Sequence, residues 1–272
     1  MNGYTLRWKT EVVGPIDGSV LRPDLLGSLD LATLHNTRLR VGRREYRLDD
    51  LFTMEGTPGP QLTVTGSPCF MNLGQGMATG QLVVLGAAGE YCGQGMTGGS
   101  LAVHGDAGDF LGASMSGGLL RVQGNAGANV GGPSMTSTRG MTGGEILVHG
   151  AAGERLGFRM RRGLIAVASA GPYPGYALLA GTLLILQGPL LHPGIELRRG
   201  TLIGLDRTQP PELGSHFRFD YRTRPLILKI LLGRLLELGY PLPVGCRHGQ
   251  YDLYTGDRLN VNRGEFWQWV RE

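Results

Sequence analysis

The chain has 272 residues, of which 41% are hydrophobic and only 7% aromatic, and it carries a formal net charge of +4. This mild basicity, the few aromatic residues and the lack of an RNA- or DNA-binding motif argue against nucleic acid binding. The first ten residues are polar and mixed, and no apolar run is long enough to span a bilayer, so we expect a cytoplasmic protein without membrane contact. Cys69, Cys92 and Cys246 are widely spaced, which predicts neither a disulfide framework nor an iron–sulfur cluster.

Residues 1–60 do not repeat, and short local patterns predict their structure. Alternating apolar residues predict strands over residues 4–8 and 37–41, and Gly42 predicts a hairpin turn after the second of them. Pro23 is expected to open a short helix. Because a stack of strands exposes a raw edge at its end, we expect residues 1–60 to flank and cap the region that follows.

From residue 71 to residue 204 the sequence repeats a unit of about 19 residues. Five methionines, spaced 19, 19, 26 and 19 residues apart, mark the units, and two leucines continue the series: Met77, Met96, Met115, Met141, Met160, Leu178 and Leu197. The longer spacing contains a seven-residue insertion near residues 131–139. Each unit has a Gly three residues after this position, followed by an apolar-x-apolar pair, and self-similarity at such a period is typical of a solenoid.

The apolar-x-apolar pairs have the period of a strand, and 19 residues are too few for two helices and a turn. The pairs are Leu82/Val84, Leu101/Val103, Leu120/Val122, Ile146/Val148, Ile165/Val167 and Leu183/Ile185, with Leu202 opening a seventh unit. We therefore predict an all-β solenoid, a parallel β-helix of about seven coils over residues 61–210. It would carry a small N-terminal α+β flank at residues 1–60 and a C-terminal helix and tail at residues 211–272.

Two further features predict that other elements cover the repeats. The residues between the inward pairs are mostly apolar, unlike a solvated sheet face: Val83, Ala102, Arg121, Leu147, Ala166, Leu184 and Ile203. A helix is predicted between Pro225 and Gly239, and most of its circumference is apolar. It is expected either to be covered on two sides, by the repeats and by another protein, or to insert deeply into its own chain. The aromatic residues 266–270 also need cover.

No pattern in the sequence predicts a catalytic, cofactor or metal site. The segment Gly93–Gly98 fits G-x-G-x-x-G, but it opens a strand instead of a helix and recurs in degraded form in every unit. His104 and His149 share a register two units apart, which places them roughly 9.6 Å from each other, too far to share a metal ion. The remaining histidines, His35, His192, His216 and His248, have no ligand spacing.

Arginines form the one cluster with a possible function. Two pairs follow the Met160 and Leu197 positions in the same register, and two more arginines lie close to the first pair: Arg155, Arg159, Arg161, Arg162, Arg198 and Arg199. One interpretation is a solvated corner of the fold. The other is a basic surface for an anionic ligand or an acidic partner.

The unit in residues 93–108, G-x-G-M-x-G-G-x-L-x-V-x-G-x-A-G, resembles the glycine-rich domain shared by the C subunit of formylmethanofuran dehydrogenase and the C-terminal part of glutamate synthase. The resemblance covers about half of the chain convincingly, and the length is most similar to that of a free-standing C subunit. It implies a right-handed β-helix with a non-catalytic scaffolding role beside an amidohydrolase-like subunit.

The bacterial relatives in this family belong to a formyltransferase/hydrolase complex of one-carbon metabolism. Membership would imply transfer of a formyl group from tetrahydromethanopterin to a methanofuran-type carrier and release of formate. The implied partners are the amidohydrolase-like A subunit, the B subunit and the formyltransferase subunit. The polyglutamylated carrier itself is a further partner that the arginine cluster could bind. The resemblance implies no cofactor in this chain, with zinc held by partner subunits.

Two alternatives remain open on the sequence. The C subunit of an archaeal formylmethanofuran dehydrogenase would accompany a molybdenum or tungsten pterin and iron–sulfur clusters in its partners. A glutamate-synthase-like module or a carbohydrate-acting β-helix enzyme would need a row of acidic residues on one face, which the repeat does not provide. Only Lys9 and Lys229 among the 26 basic residues are lysine, and this arginine bias favours the bacterial complex.

Overall fold

A computed structural model describes residues 2–66, 70–209, 211, 213–215, 217–256 and 263–270. Cys69 and His216, which the sequence analysis considered as possible ligands, lie outside the described residues. No cis peptide bond occurs in the described part of the chain.

The N-terminal segment forms strands and three short helices before the repeats begin. Its elements in chain order are β1 (Gly3–Trp8), β2 (Ile16–Asp17), α1 (Pro23–Leu26), α2 (Leu31–Asn36), β3 (Arg38–Val41), β4 (Arg44–Arg47), α3 (Leu48–Leu51) and β5 (Phe52–Gly56). The predicted strands, hairpin and Pro-initiated helix are confirmed. Asp30 caps α2 by accepting a hydrogen bond from the Thr33 backbone N–H at 2.8 Å. Gly42 turns the hairpin with a φ of 58°.

The repeats and the segment leading into them contribute strands to a continuous parallel ladder. The strands of residues 61–204 are β6 (Gln61–Thr65), β7 (Phe70–Met71), β8 (Gln81–Leu85), β9 (Thr97–Val103), β10 (Gly117–Val122), β11 (Glu145–Ala152), β12 (Leu164–Ala170), β13 (Thr182–Ile185) and β14 (Thr201–Gly204). Strand β7 alone leaves the ladder and pairs with β2. The inward residues pair in register, as Leu82 with Leu101 and Leu101 with Leu120, so the predicted alignment of the units is confirmed.

The C-terminal segment returns to the same sheet. It forms β15 (Arg218–Thr223), α4 (Leu226–Glu237), a 3-10 turn at Cys246–His248, β16 (Tyr251–Thr255) and β17 (Glu265–Trp269). The predicted helix is confirmed: Pro225 precedes it, and Gly239 follows with a φ of 73°. Strand β17 pairs in parallel with β14, Phe266 beside Leu202, so the aromatic tail finds its cover by extending the ladder.

The predicted fold class, an all-β solenoid built as a right-handed parallel β-helix of about seven coils, is wrong. The strands instead form one 13-stranded mixed sheet, β15-β16-β17-β14-β13-β12-β11-β10-β9-β8-β6-β1-β5, and one four-stranded sheet, β4-β3-β2-β7. Antiparallel strands form both edges of the large sheet, β5 at one edge and β15–β16 at the other. A periodic pattern reports only the repeating strand, so it could not show how the unrepeated flanks pair with it.

Two apolar cores lie on opposite faces of the large sheet. The first contains the inward pairs, the repeated methionines and residues of the N-terminal segment. The second lies between the outward residues of the last repeats and the C-terminal segment, and joins Leu184 and Ile203 to Leu228, Leu232 and Trp267. Helix α4 is therefore fixed against the outward face of the sheet by apolar packing.

Candidate interaction surfaces

Each repeat turns at a corner whose backbone adopts the left-handed conformation at alternating positions. In one repeat these are Tyr91, Gly93 and Gly95, with φ values of 59°, 69° and 64°. Their N–H groups donate to carbonyls of the neighbouring repeats, to Asp109 at 2.9 Å, to Leu73 at 2.7 Å and to Ala113 at 2.8 Å. These hydrogen bonds stabilise residues other than Gly in a backbone conformation that such residues rarely adopt.

The central corner position needs Gly for a second reason, since a Cβ at Gly93 would clash with Cδ1 of Leu120. The first position is filled by residues of five types in seven repeats, all of them partly or fully exposed: Asn72, Tyr91, Phe110, Asn129, Arg155, Tyr173 and His192. It therefore presents a column of variable side chains on a rigid backbone.

Aromatic rings stack along this corner. The ring centroids of Tyr91 and Phe110 are 4.8 Å apart with planes at 7°, and those of Tyr173 and His192 are 5.3 Å apart at 22°. A third stack joins Phe158 and Tyr176, each three residues after the first corner position of its repeat. These stacks were not predicted from the sequence, although the paired residues occupy equivalent positions of neighbouring repeats.

Arg155 and Arg159, from the predicted cluster, lie at the same corner. Both residues have positive φ, 56° and 52°. The Arg155 guanidinium lies 3.7 Å from the carboxylate of Glu154, and the Arg159 guanidinium lies 5.5 Å from the ring centroid of Phe158. Both are exposed, so each contact is weak and leaves most of the guanidinium N–H groups facing solvent.

The other four predicted arginines follow the corner in two repeats, and the backbone confirms their shared register. The N–H of Leu179 donates to the Met160 carbonyl, and the N–H of Arg198 donates to the Leu178 carbonyl. The repeat that contains Leu179 therefore lies between Arg161 and Arg198. All four side chains are exposed. Among the described residues, no carboxylate lies within salt-bridge distance of Arg161, Arg162, Arg198 or Arg199.

A seventh arginine, which the sequence pattern did not predict, lies beside this cluster. The N–H of Arg263 donates to the carbonyl of Arg198 at 2.7 Å, and its side chain is exposed. Arg263 precedes β17 as Arg199 precedes β14, but the long connection from β14 hides this equivalence in the sequence. The six predicted arginines and Arg263 are called the arginine corner below.

Helix α4 has one buried and one exposed apolar face. Leu228, Leu232 and Leu235 are buried against the sheet. On the opposite side Leu226, Ile227 and Ile230 are 69%, 65% and 61% exposed. The predicted cover by the repeats is confirmed, and deep insertion into the same chain is wrong because the helix lies on the sheet surface. These three residues are called the exposed face of α4.

The groups with the most strongly shifted pKa are engaged in packing. Complete burial in the first core raises the pKa of the Cys92 thiol to about 12. Burial also raises the pKa of Tyr240, whose hydroxyl donates to the Val148 carbonyl at 2.9 Å. These hydroxyl and thiol groups therefore act as fixed structural contacts at neutral pH.

The two aligned histidines do not converge with other possible ligands. The Nδ1 atom of His149 lies 3.1 Å from the Val122 carbonyl, and its ring packs on Tyr240 at 5.3 Å, whereas His104 is exposed. Across the described ranges, no group of three or more His, Cys, Asp or Glu residues could hold a metal ion. None of the helices in these ranges is long and apolar enough to cross a membrane.

A solved structure is similar to this chain over its full length. It is a chain in the crystal structure of the formyltransferase/hydrolase complex (FhcABCD) from Methylorubrum extorquens in complex with methylofuran. The TM-score is 0.88 with 29% sequence identity, and the match covers 98% of this chain and 100% of that chain. No model of a known protein family matches the sequence, and no curated protein is similar to it.

Proposed function

We propose that this chain is the C subunit of a formyltransferase/hydrolase complex, in which it acts as a non-catalytic scaffold. The observation that carries the proposal is the end-to-end similarity to one chain of such a complex, at 29% identity and a TM-score of 0.88. Because the match covers almost all of both chains, it supports an equivalent place in the assembly. The partner subunits would transfer the formyl group to a methanofuran-type carrier and release it as formate.

The exposed face of α4 supports the scaffold role. Three large apolar side chains on one helix are exposed although the opposite face of the helix is fully packed. An apolar patch of this kind on a rigid helix is typical of a protein interface. We propose that a partner subunit covers it in the assembled complex.

The arginine corner supports contact with the anionic carrier. Its guanidinium groups are spaced along the repeats and face solvent, and arginine binds carboxylates in a bidentate manner. A flexible chain of carboxylates could lie along the corner and bind several of these residues at once. In this proposal the chain positions the carrier between catalytic subunits without contacting the reacting atoms.

Native mass spectrometry of the complex purified from the cell that makes it tests the proposal. We expect this chain together with an amidohydrolase-like subunit, the B subunit and a formyltransferase subunit. The double variant Ile227→Asp/Ile230→Asp should fold but fail to assemble, because two charges would have to be buried at the interface. Val13→Asp, at a residue that is 102% exposed, is the matched control and should assemble normally. A lone chain with activity of its own would contradict the proposal.

A further inference from the structure

Two adjoining cavities open where the N-terminus of α4 meets the 3-10 turn at Cys246–His248. Their volumes are about 330 Å³ and about 570 Å³, and both are lined by His248 and Gly249. Because they share these two residues, they lie side by side, and together they are called the C-terminal cleft. It lies on the C-terminal segment, apart from the arginine corner.

The described charged side chains that line the C-terminal cleft are all basic. Its cationic or titratable side chains come from four separate segments: Arg207, Arg224, Lys229, Arg247 and His248. None of the described residues lining either cavity is acidic. The nearby Asp252 is already bound by Arg222 through two hydrogen bonds of 2.6 and 2.9 Å. The lining of the cleft therefore gives it a positive potential.

Two of the exposed guanidinium groups are oriented by single contacts that leave N–H donors available. The Nε of Arg247 donates to the Lys229 carbonyl at 3.3 Å, which leaves both Nη groups without a hydrogen-bond acceptor among the described residues. The Arg207 guanidinium lies 4.0 Å from the ring centroid of Trp269. Cation–π contact fixes the plane of a guanidinium without using its N–H groups.

A glycine inside α4 makes room for Arg247. A Cβ at Gly233 would lie 3.2 Å from Nη2 of Arg247, closer than an ordinary contact. Gly is unfavourable in a helix interior, so its presence in the middle of this 12-residue helix indicates a packing reason. That reason is the approach of the guanidinium to the helix.

The helix itself adds to the potential of the cleft. Pro225 and Leu226, at the N-terminal end of α4, line the smaller cavity. The first backbone N–H groups of a helix lack intrahelical acceptors, and the helix dipole places partial positive charge at this end. The helix end and the side chains therefore favour the same sign of ligand charge.

From these observations we propose that the C-terminal cleft binds an anion that carries two or more phosphate or carboxylate groups. Guanidinium groups recognise both kinds of oxyanion by paired N–H donors. The two cavities provide room for charged groups at separate points, with Arg247 and Lys229 at one and Arg207 at the other. This site needs no partner subunit, but it borders the surface proposed for one, because Leu226 belongs both to the smaller cavity and to the exposed face of α4.

Isothermal titration of the full-length chain with inorganic pyrophosphate, and separately with citrate, tests the site at low salt. We expect saturable binding of at least one probe. Pyrophosphate alone would assign a phosphate ligand and citrate alone a carboxylate ligand, whereas binding of both would assign a site selective for charge only. Arg247→Ala should weaken binding at least tenfold, and Arg43→Ala, at an exposed arginine of the N-terminal hairpin, should leave it unchanged.

Gly233→Ala separates binding from folding. The added methyl group should displace the guanidinium of Arg247 and weaken binding several-fold, while the melting temperature stays the same or rises because Ala favours the helix. Absence of binding by both probes at millimolar concentration would overturn the proposal. So would equal affinity of wild type and Arg247→Ala. Either result would leave the scaffold proposal untouched, since that depends on assembly and not on this cleft.

Discussion

The two halves of the outward sheet face have the same repeat but different surroundings. Toward the C-terminus Leu147, Ala166 and Leu184 are completely buried under α4 and the tail. Toward the N-terminus the equivalent Val83 and Ala102 are only half-buried. Because these residues occupy one column of paired strands, the strand itself does not cause the difference. Whether the apolar column is core or surface therefore depends on which other segments of the chain pack on each half.

Arg121 lies at the boundary between the covered and the open half. Its Nη2 donates to the carbonyl of Leu238, directly after α4, at 2.8 Å. A carbonyl at a helix C-terminus has no intrahelical donor, so this bond caps the helix where its cover ends. The single charged residue in the outward column thus marks the end of the second core.

The largest expected effect comes from placing a charge in each half of this column. Leu184→Asp would bury a carboxylate without a partner, and we expect a loss of about 4 kcal/mol or more in the free energy of unfolding. Val83→Asp, on the open half, can hydrate its carboxylate and should cost about 1 kcal/mol. Urea unfolding of both variants measures the difference. Equal losses would show that the two halves are covered alike in solution.

A smaller contrast is expected between the two faces of α4. Leu232→Ala removes a fully buried side chain and should cost about 2–5 kcal/mol. Ile230→Ala removes a side chain that is 61% exposed, and the effect should stay within about 0.5 kcal/mol because Ala also favours the helix. Thermal unfolding of the isolated chain gives both values. A large loss for Ile230→Ala would mean that its side chain is covered by a second copy or another part of the chain.

Residue patterns predicted the local elements and their register well. The apolar pairs at the repeat period gave the pairing of Leu101 with Leu120, and Pro225 and Gly239 gave the ends of the terminal helix. The shared register of Arg161 and Arg198 followed from the same period. These features depend on neighbouring residues or on a regular repeat, which a single sequence displays directly.

Features built from distant, unrepeated segments could not be predicted in this way. The antiparallel strands at both ends of the 13-stranded sheet pair through contacts that no period reports. Strand β17 pairs with β14 across a connection of about 60 residues, so the sequence did not show that Arg263 lies beside the arginine cluster. The C-terminal cleft combines four segments, and the individual basic residues in them have no mutual spacing in the sequence.

The smallest effect on stability is expected at the arginine corner. Arg161→Glu with Arg162→Glu should change the free energy of unfolding by no more than about 0.5 kcal/mol, because both side chains are exposed. If the arginine corner makes the proposed contact, the variant should weaken binding of the polyglutamylated carrier to the assembled complex about tenfold or more, because two cations become anions. Titration of the purified complex measures this affinity. Arg38→Glu with Arg40→Glu, on the exposed side of β3, is the matched control. Unchanged affinity and assembly would assign Arg161 and Arg162 to a solvated corner.

Omission of this chain from a reconstituted complex tests the scaffold role most directly. The candidate partner subunits would be assembled with and without it, and formate release from the formylated donor would be measured together with the mass of the assembly. We expect a complete assembly and formate release only when the chain is present, and no activity from the chain alone. Partner subunits that assemble and release formate equally well without the chain, or activity of the chain by itself, would contradict the account.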